Sequence, residues 1–352
     1  MADPLTLEPA SAPDDPRRPE ALLNAGETTL NIQGPVVVDD FGSDGSSQFD
    51  SDDSDITSLS SSILDYEYEN GRRYHSNRAG LYMMPNDEEE QDRMDLAHHI
   101  WLVLLKGELY KAPVKNPQKI LDLGTGTGIW AIDIAEKFPE AQVIGTDISA
   151  IQPSWVTPNL EFLVEDFEAE WLYKENSFDF IHTRMISGCV ADWPKLLQRV
   201  YDHLKPGAYF EIQESALWAW SDDGTVKLDS PFIQYLQALE VASHKAGRDL
   251  NVYFKLRDWL ITAGFEDVQQ FTYFLPYAPW PQDPYLKDLG RYMLAMTAKA
   301  VESYGLRLFT SVLGWGTEPS QILNAAVRQQ MRDKSMHAYC KEVVVYGRKP
   351  LK

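Results

Sequence analysis

Six residues between positions 122 and 166 have types and spacings that suit the holding of a nucleotide-like ligand. Gly124, Gly126 and Gly128 alternate along one short stretch, Asp122 stands two residues ahead of them, and Asp147 and Asp166 follow. Glycines let a backbone approach a ligand closely and adopt left-handed conformations without steric cost. A carboxylate nineteen residues beyond Gly128 can accept both hydroxyls of a ribose, and a later acid can accept from the amino group of a base. A dinucleotide fingerprint wants glycine at the first, third and sixth positions. Counting from Gly124, the sixth position is Ile129, which breaks that pattern.

These residues need a strand before the turn and a helix after it. Ile120–Leu123 is an apolar run with one acid inside it, the pattern of a buried parallel strand, and the apolar residues of Ile129–Lys137 recur at helical spacing. Further strands are expected at 141–147, 159–166, 177–183, 208–214, 265–275 and 339–347. Helices are expected from the N-cap candidates Asn86 and Asp87 to about 106, at 193–204 before Lys205-Pro206-Gly207, and at 254–263. In the first of these helices, one of His98 and His99 should pack inward and the other face solvent. Strands alternating with helices imply an α/β fold, a Rossmann-like parallel sheet covered on both faces. About sixty mainly helical residues between the last two strands, roughly 276–338, exceed any ordinary loop and read as an inserted helical cap.

Composition narrows the function. The net charge of -21 is unevenly placed: residues 1–65 hold fourteen acids against Arg17 and Arg18, leaving -9 for the other 287. Such a balance argues against a nucleic-acid partner, which requires cationic surface, and against anionic membranes. Residues 1–63, rich in Pro, Ser and Asp, are expected to form a disordered acidic tail that can serve a protein partner. The ordered unit is expected over 64–352. Cys189 and Cys340 form no metal-ligand or disulfide pattern, so no metal is expected. Without an N-terminal apolar core or a long apolar run, the expected place is the cytoplasm or nucleus and not outside the cell.

The acid at Asp122 and the third glycine at Gly128 fit the glycine motif of S-adenosylmethionine-dependent methyltransferases. The wider set Asn70-Gly-Arg-Arg-Tyr-His75, Tyr82 to Arg93, Leu123 to Trp130, Gln152-Pro-Ser-Trp155, Phe178 to Arg184, Asp192-Trp-Pro-Lys195 and Tyr346 to Pro350 resembles the fungal LaeA-like methyltransferases over about residues 66–350. The resemblance implies a seven-stranded sheet whose last strand is antiparallel, with S-adenosylmethionine across the strand ends. The cofactor set it implies is Asp122, Gly124, Thr125, Gly126, Gly128, Asp147, Ile148, Asp166, Phe167 and Arg184. It leaves open whether the chain is an enzyme of a biosynthetic pathway or a nuclear regulator of such pathways.

Methyl transfer from a sulfonium needs alignment and water exclusion more than a fixed catalytic group, and a base only where the acceptor must lose a proton. Candidates for that role are His182, Glu214 and Tyr82, with Tyr74 and His75 folding over the cofactor beside Tyr82. Trp218, Trp220, Tyr277, Trp280, Tyr292, Met293, Met296, Phe309 and Trp315 suit a small acceptor of apolar or aromatic character, methylated at oxygen or nitrogen.

Overall fold

The computed structural model describes residues 66–75 and 83–352. The expected acidic tail and Tyr82 lie outside the described residues. A short hairpin comes first, β1 (Tyr66–Glu69) and β2 (Arg72–His75), closed by Asn70 and Gly71 at φ of 52° and 80°. Two successive residues at positive φ are what a tight hairpin turn of matching twist demands. Helix α1 (Glu88–Leu104) follows; the Asp87 side chain caps it by accepting from Glu90 N at 3.1 Å.

The body is a seven-stranded sheet made of β3 (Lys119–Leu123), β4 (Gln142–Asp147), β5 (Leu160–Val164), β6 (Phe178–Arg184), β7 (Leu204–Ser215), β8 (Glu266–Pro276) and β9 (Tyr339–Arg348). Its order is β5-β4-β3-β6-β7-β9-β8, with β9 antiparallel to both neighbours and the first five strands parallel. Ile120 to Leu123 are all essentially buried, because helices cover both faces and the strand has no wet side. Helix α2 (Ile129–Lys137) packs its Trp130, Ala131 and Ile134 on one face. On the other lie α3 (Trp193–His203) and α5 (Leu256–Thr262). The chain reverses its winding between β3 and β6, so a crevice opens at the carboxyl ends of these two strands, where open α/β sheets bind ligands.

The cap differs from expectation in its make-up. The stretch around 276–338 holds α6 (Pro284–Arg307), a π-helical turn (Leu308–Val312) and α7 (Thr317–Met331), but a third helix, α4 (Pro231–Lys245), joins them from between β7 and α5. The sequence reading left α4 unassigned. Its buried Phe232, Ile233, Tyr235, Leu236, Leu239 and Ala242 recur at helical spacing, and Ser230 with Pro231 marks its start. Together the three helices and α1 enclose one core against β8 and β9. The hairpin docks on α6, where Arg307 meets Glu67 at 2.7 Å and Glu69 at 3.1 Å.

Candidate active site

The site is built first from the turn at the end of β3. Gly124, Gly126 and Gly128 have φ of 67°, 59° and 82°. A side chain at Gly124 would place its Cβ 2.8 Å from the Ile186 side chain, and one at Gly126 would sit 3.1 Å from the Met94 sulfur, so only glycine satisfies conformation and space together. The turn is fixed by its neighbours. Thr125 N donates to the Thr146 carbonyl (2.9 Å), Gly126 N to Asp147 Oδ2 (2.9 Å), Gln152 Nε2 to the Gly126 carbonyl (2.6 Å) and Thr127 Oγ1 to Asp95 (2.7 Å).

Asp147, at the end of β4, also accepts from Ser149 N at 2.9 Å. Burial pushes its carboxyl up to about 6 despite these bonds. Two N–H donors leave further acceptor capacity on a carboxylate that borders the central cavity. Ile148 lies beside it, and Asp166 and Phe167, just past β5, border the same cavity. Asp166 accepts from Glu168 N at 2.8 Å, which sets its orientation.

Asp122 is only 3% exposed and already accepts twice within the protein, from Thr125 Oγ1 at 2.6 Å and from His182 Nδ1 at 2.8 Å. His182 is wholly buried and stacks on Trp130 with ring centroids 3.7 Å apart and planes within 5°. Burial holds its pKa down, so the neutral ring donates one Nδ1–H to Asp122. This geometry makes His182 a support for Asp122 and the turn. Arg184, one strand position further along the same face, is held differently: its Nη2 donates to His98 Nδ1 at 3.0 Å. The acceptor role fixes His98 as the neutral tautomer whose Nε2–H donates to Asp133 at 2.9 Å, and burial keeps its pKa low. His98 thus faces inward and His99 is exposed, with the inward ring orienting a guanidinium that borders the cavity. Sequence reasoning gave His98 only a packing role.

The cavity, of about 280 Å³, runs from the glycine turn to a chamber between the sheet end and the cap. Of the aromatic and methionine residues expected around an acceptor, Tyr277, Met293 and Met296 border it. The others stand elsewhere. Trp220 packs between Tyr253 and Tyr339, Trp280 donates to the Ala338 carbonyl, Tyr292 meets His99, and Trp315 lies against Phe309; Trp218 is likewise part of the packing, against both large cores. Tyr74 and His75 do not cover the cavity either: Tyr74 is buried under the Arg307 guanidinium, 4.3 Å from its ring centroid. Met83 and Met84 border the cavity from that side instead. Phe232, Tyr235 and Leu239 of the unassigned α4 form much of the wall.

Two carboxyls stand in this chamber. Glu214 accepts from Ile186 N at 2.7 Å, and burial, with the charge of Glu342 adding to it, pushes its carboxyl up to about 8. Glu342 accepts from Ser215 Oγ at 2.5 Å and is likewise pushed by burial to about 8. The sequence reading missed Glu342, although an acid directly before the valine run Val343-Val-Val345, within an expected buried strand, was a legible signal. Among the described residues no group of His, Cys, Asp or Glu is arranged to hold a metal ion.

A glycine cradle that any Cβ would fill, a ribose-compatible carboxylate at its rim and a guanidinium without a carboxylate ion pair among the described residues suit S-adenosylmethionine. Fold and site define a class I methyltransferase with that cofactor. The comparisons are direct. Residues 90–270 match the methyltransferase domain family. The chain is 42% identical over 300 residues to methyltransferase pytC of Aspergillus terreus, covering 85% of this chain and 92% of that one. It is 39% identical to the secondary metabolism regulator LAE1 of Cochliobolus heterostrophus (80% and 94% covered) and 37% identical to the protein-methionine methyltransferase laeA of Emericella nidulans (82% and 77%). The chain belongs to the LaeA-like methyltransferases.

Proposed function

We propose that this chain methylates the oxygen or nitrogen of a small apolar or aromatic metabolite in a fungal secondary pathway. The observation that carries this is the chamber itself, which is continuous with the glycine turn and walled by apolar and aromatic side chains of α4 and α6. Its relationship to methyltransferase pytC supports the pathway. S-adenosylmethionine supplies an electrophilic methyl group on a sulfonium when bound. The chain's own residues then position and protect. Asp147 takes the ribose hydroxyls, Asp166 the adenine amino group with Phe167 and Ile148 against the ring, and Arg184 the cofactor carboxylate. Asp122, with Thr125 and His182, holds the turn of Gly124, Gly126 and Gly128 in shape and places negative charge near the cofactor ammonium. The cap excludes water, and Glu214 is the group placed to receive a proton from the acceptor. We assign this unit to residues 64–352.

A second reading, a regulator acting through protein partners in the nucleus, draws support from relatives named as regulators and from the acidic segment 1–63. Removing residues 1–63 separates the two: methyl transfer to a small acceptor is expected to persist, and its loss together with loss of bound proteins would favour the regulator. Among the described residues no helix is long and apolar enough to cross a membrane.

A further inference from the structure

We propose that the chamber selects an acceptor carrying a basic nitrogen, held by the carboxyls of Glu214 and Glu342 within an aromatic wall. The inference rests on the chamber being the acceptor site and narrows what enters it.

Glu214 and Glu342 are 1% and 2% exposed, and both border the cavity. The donors to their carboxylates are neutral: Ile186 N and Ser187 for Glu214, and Ser215 Oγ and the Cys340 thiol for Glu342. The other cations bordering the cavity are engaged elsewhere: Arg93 forks onto Glu90 at 2.7 Å and 3.0 Å, Arg248 meets Glu168 at 3.0 Å, and Arg184 is turned to His98. Lys341, the neighbour of Glu342 in sequence, lies over the Trp220 ring at 5.1 Å. A phenolate or carboxylate entering this end would meet two buried acids and, among the described residues, no cation left to compensate it; an ammonium would meet acids that can ionise against it. The walls agree. Tyr235 and Tyr277 spend their hydroxyls on the carbonyls of Val301 and Trp218, so rings rather than donors are left for a ligand, and ring faces attract cations.

The two acids divide the task by position. Glu214 is bonded to Ile186, the residue whose side chain touches the space beside Gly124, so it stands at the cofactor end. Glu342 lies with Cys340 and Tyr277, which belong to the cap core. In transfer, the nitrogen lone pair forms the new N–C bond as the methyl C–S bond breaks and its pair stays on sulfur. The ammonium gives up one proton to the Glu214 carboxylate before the attack, which frees that lone pair, and the N-methylammonium that results keeps its positive charge against Glu342.

The test is titration calorimetry on the full chain saturated with S-adenosylhomocysteine, using 2-phenylethylamine, 2-phenylethanol and phenylacetate as probes. The amine is expected to bind at least tenfold tighter than either counterpart. At pH 7 it should release protons, read by repeating the titration in buffers of different ionisation enthalpy, because both carboxyls sit near 8 when the chamber is empty. Glu342→Gln and Glu214→Gln should each erase the preference while leaving S-adenosylhomocysteine affinity within twofold. Equal binding of amine and alcohol, or a preference that survives in either variant, overturns the proposal alone. Binding of S-adenosylhomocysteine with no probe bound overturns the acceptor chamber and the proposal together.

Discussion

Asp147→Asn probes the cofactor end with a magnitude that follows from the geometry. The carboxylate already accepts from Gly126 N and Ser149 N, both at 2.9 Å, leaving capacity for the two ribose hydroxyls. Hydrogen bonds to a charged oxygen contribute about 1.5–3 kcal/mol each, and neutral ones about 0.5–1.5. Asparagine keeps one neutral acceptor and turns an N–H donor toward a donor, so the net loss is about 2–4 kcal/mol, or roughly 30- to 700-fold in Kd. Calorimetry with S-adenosylhomocysteine reads this directly. The pH dependence has a definite sign. With its pKa raised to about 6 in the empty site, Asp147 is protonated below that value and loses acceptor capacity, so wild-type affinity should be flat above pH 7 and fall below pH 6. The raised value also means that the ionised carboxylate costs folding stability above pH 6. Its replacement relieves that cost while weakening the bonds to two backbone N–H groups, and the Tm of the cofactor-free protein should move by less than about 4 °C. Affinity within threefold of wild type, in a folded variant, would refute the reasoning.

Three further outcomes are expected. Gly126→Val forces a β-branched residue to φ 59° with its Cβ 3.1 Å from Met94; left-handed strain of about 1–3 kcal/mol should distort the turn and abolish measurable cofactor binding by calorimetry, with circular dichroism showing the sheet retained. Arg184→Ala should weaken S-adenosylmethionine binding about tenfold or more, and Arg184→Lys should recover only part, because a lysine cannot reproduce the fork that His98 orients; equal affinity of all three would remove Arg184 from the cofactor site. His182→Ala empties a wholly buried site stacked on Trp130 and strips Asp122 of one donor, costing about 2–4 kcal/mol. A Tm lowered by roughly 5–15 °C is the signature of a positioning residue, whereas lost turnover at unchanged Tm would put the ring among the reacting atoms.

The sheet was legible because buried parallel strands are short apolar runs, and each such run from Ile120 to Val345 became a strand of the sheet. The turn was legible because Gly124, Gly126 and Gly128 each answer a backbone demand that sequence alone states. Other features escaped for identifiable reasons. The hairpin was overlooked although Asn70-Gly71 announces it, because its strands are short mixtures of charged and aromatic residues and draw their support from Arg307, far along the chain. Helix α4 was not legible as a wall of the site because its buried Phe232, Tyr235 and Leu239 state only an apolar face, and what that face covers is decided by packing. The acceptor wall is assembled from α4, α6, β7 and β9, and no local pattern reports such a convergence. Aromatic content predicted an apolar chamber, but only packing decided that Tyr277, Met293 and Met296 border it while Trp280, Tyr292 and Trp315 do not. His98 shows the same limit: its inward face was predictable, its hydrogen bond to Arg184 was not.

The central claim is that this chain places a methyl group on a small molecule. Incubating the purified full chain with methyl-labelled S-adenosylmethionine and a protein-free metabolite extract of its host, followed by chromatography of the small molecules, tests it most directly. Label is expected in a discrete small-molecule product, absent with Gly126→Val; label confined to protein, or no transfer while S-adenosylmethionine binds normally, would show that no small molecule is the acceptor.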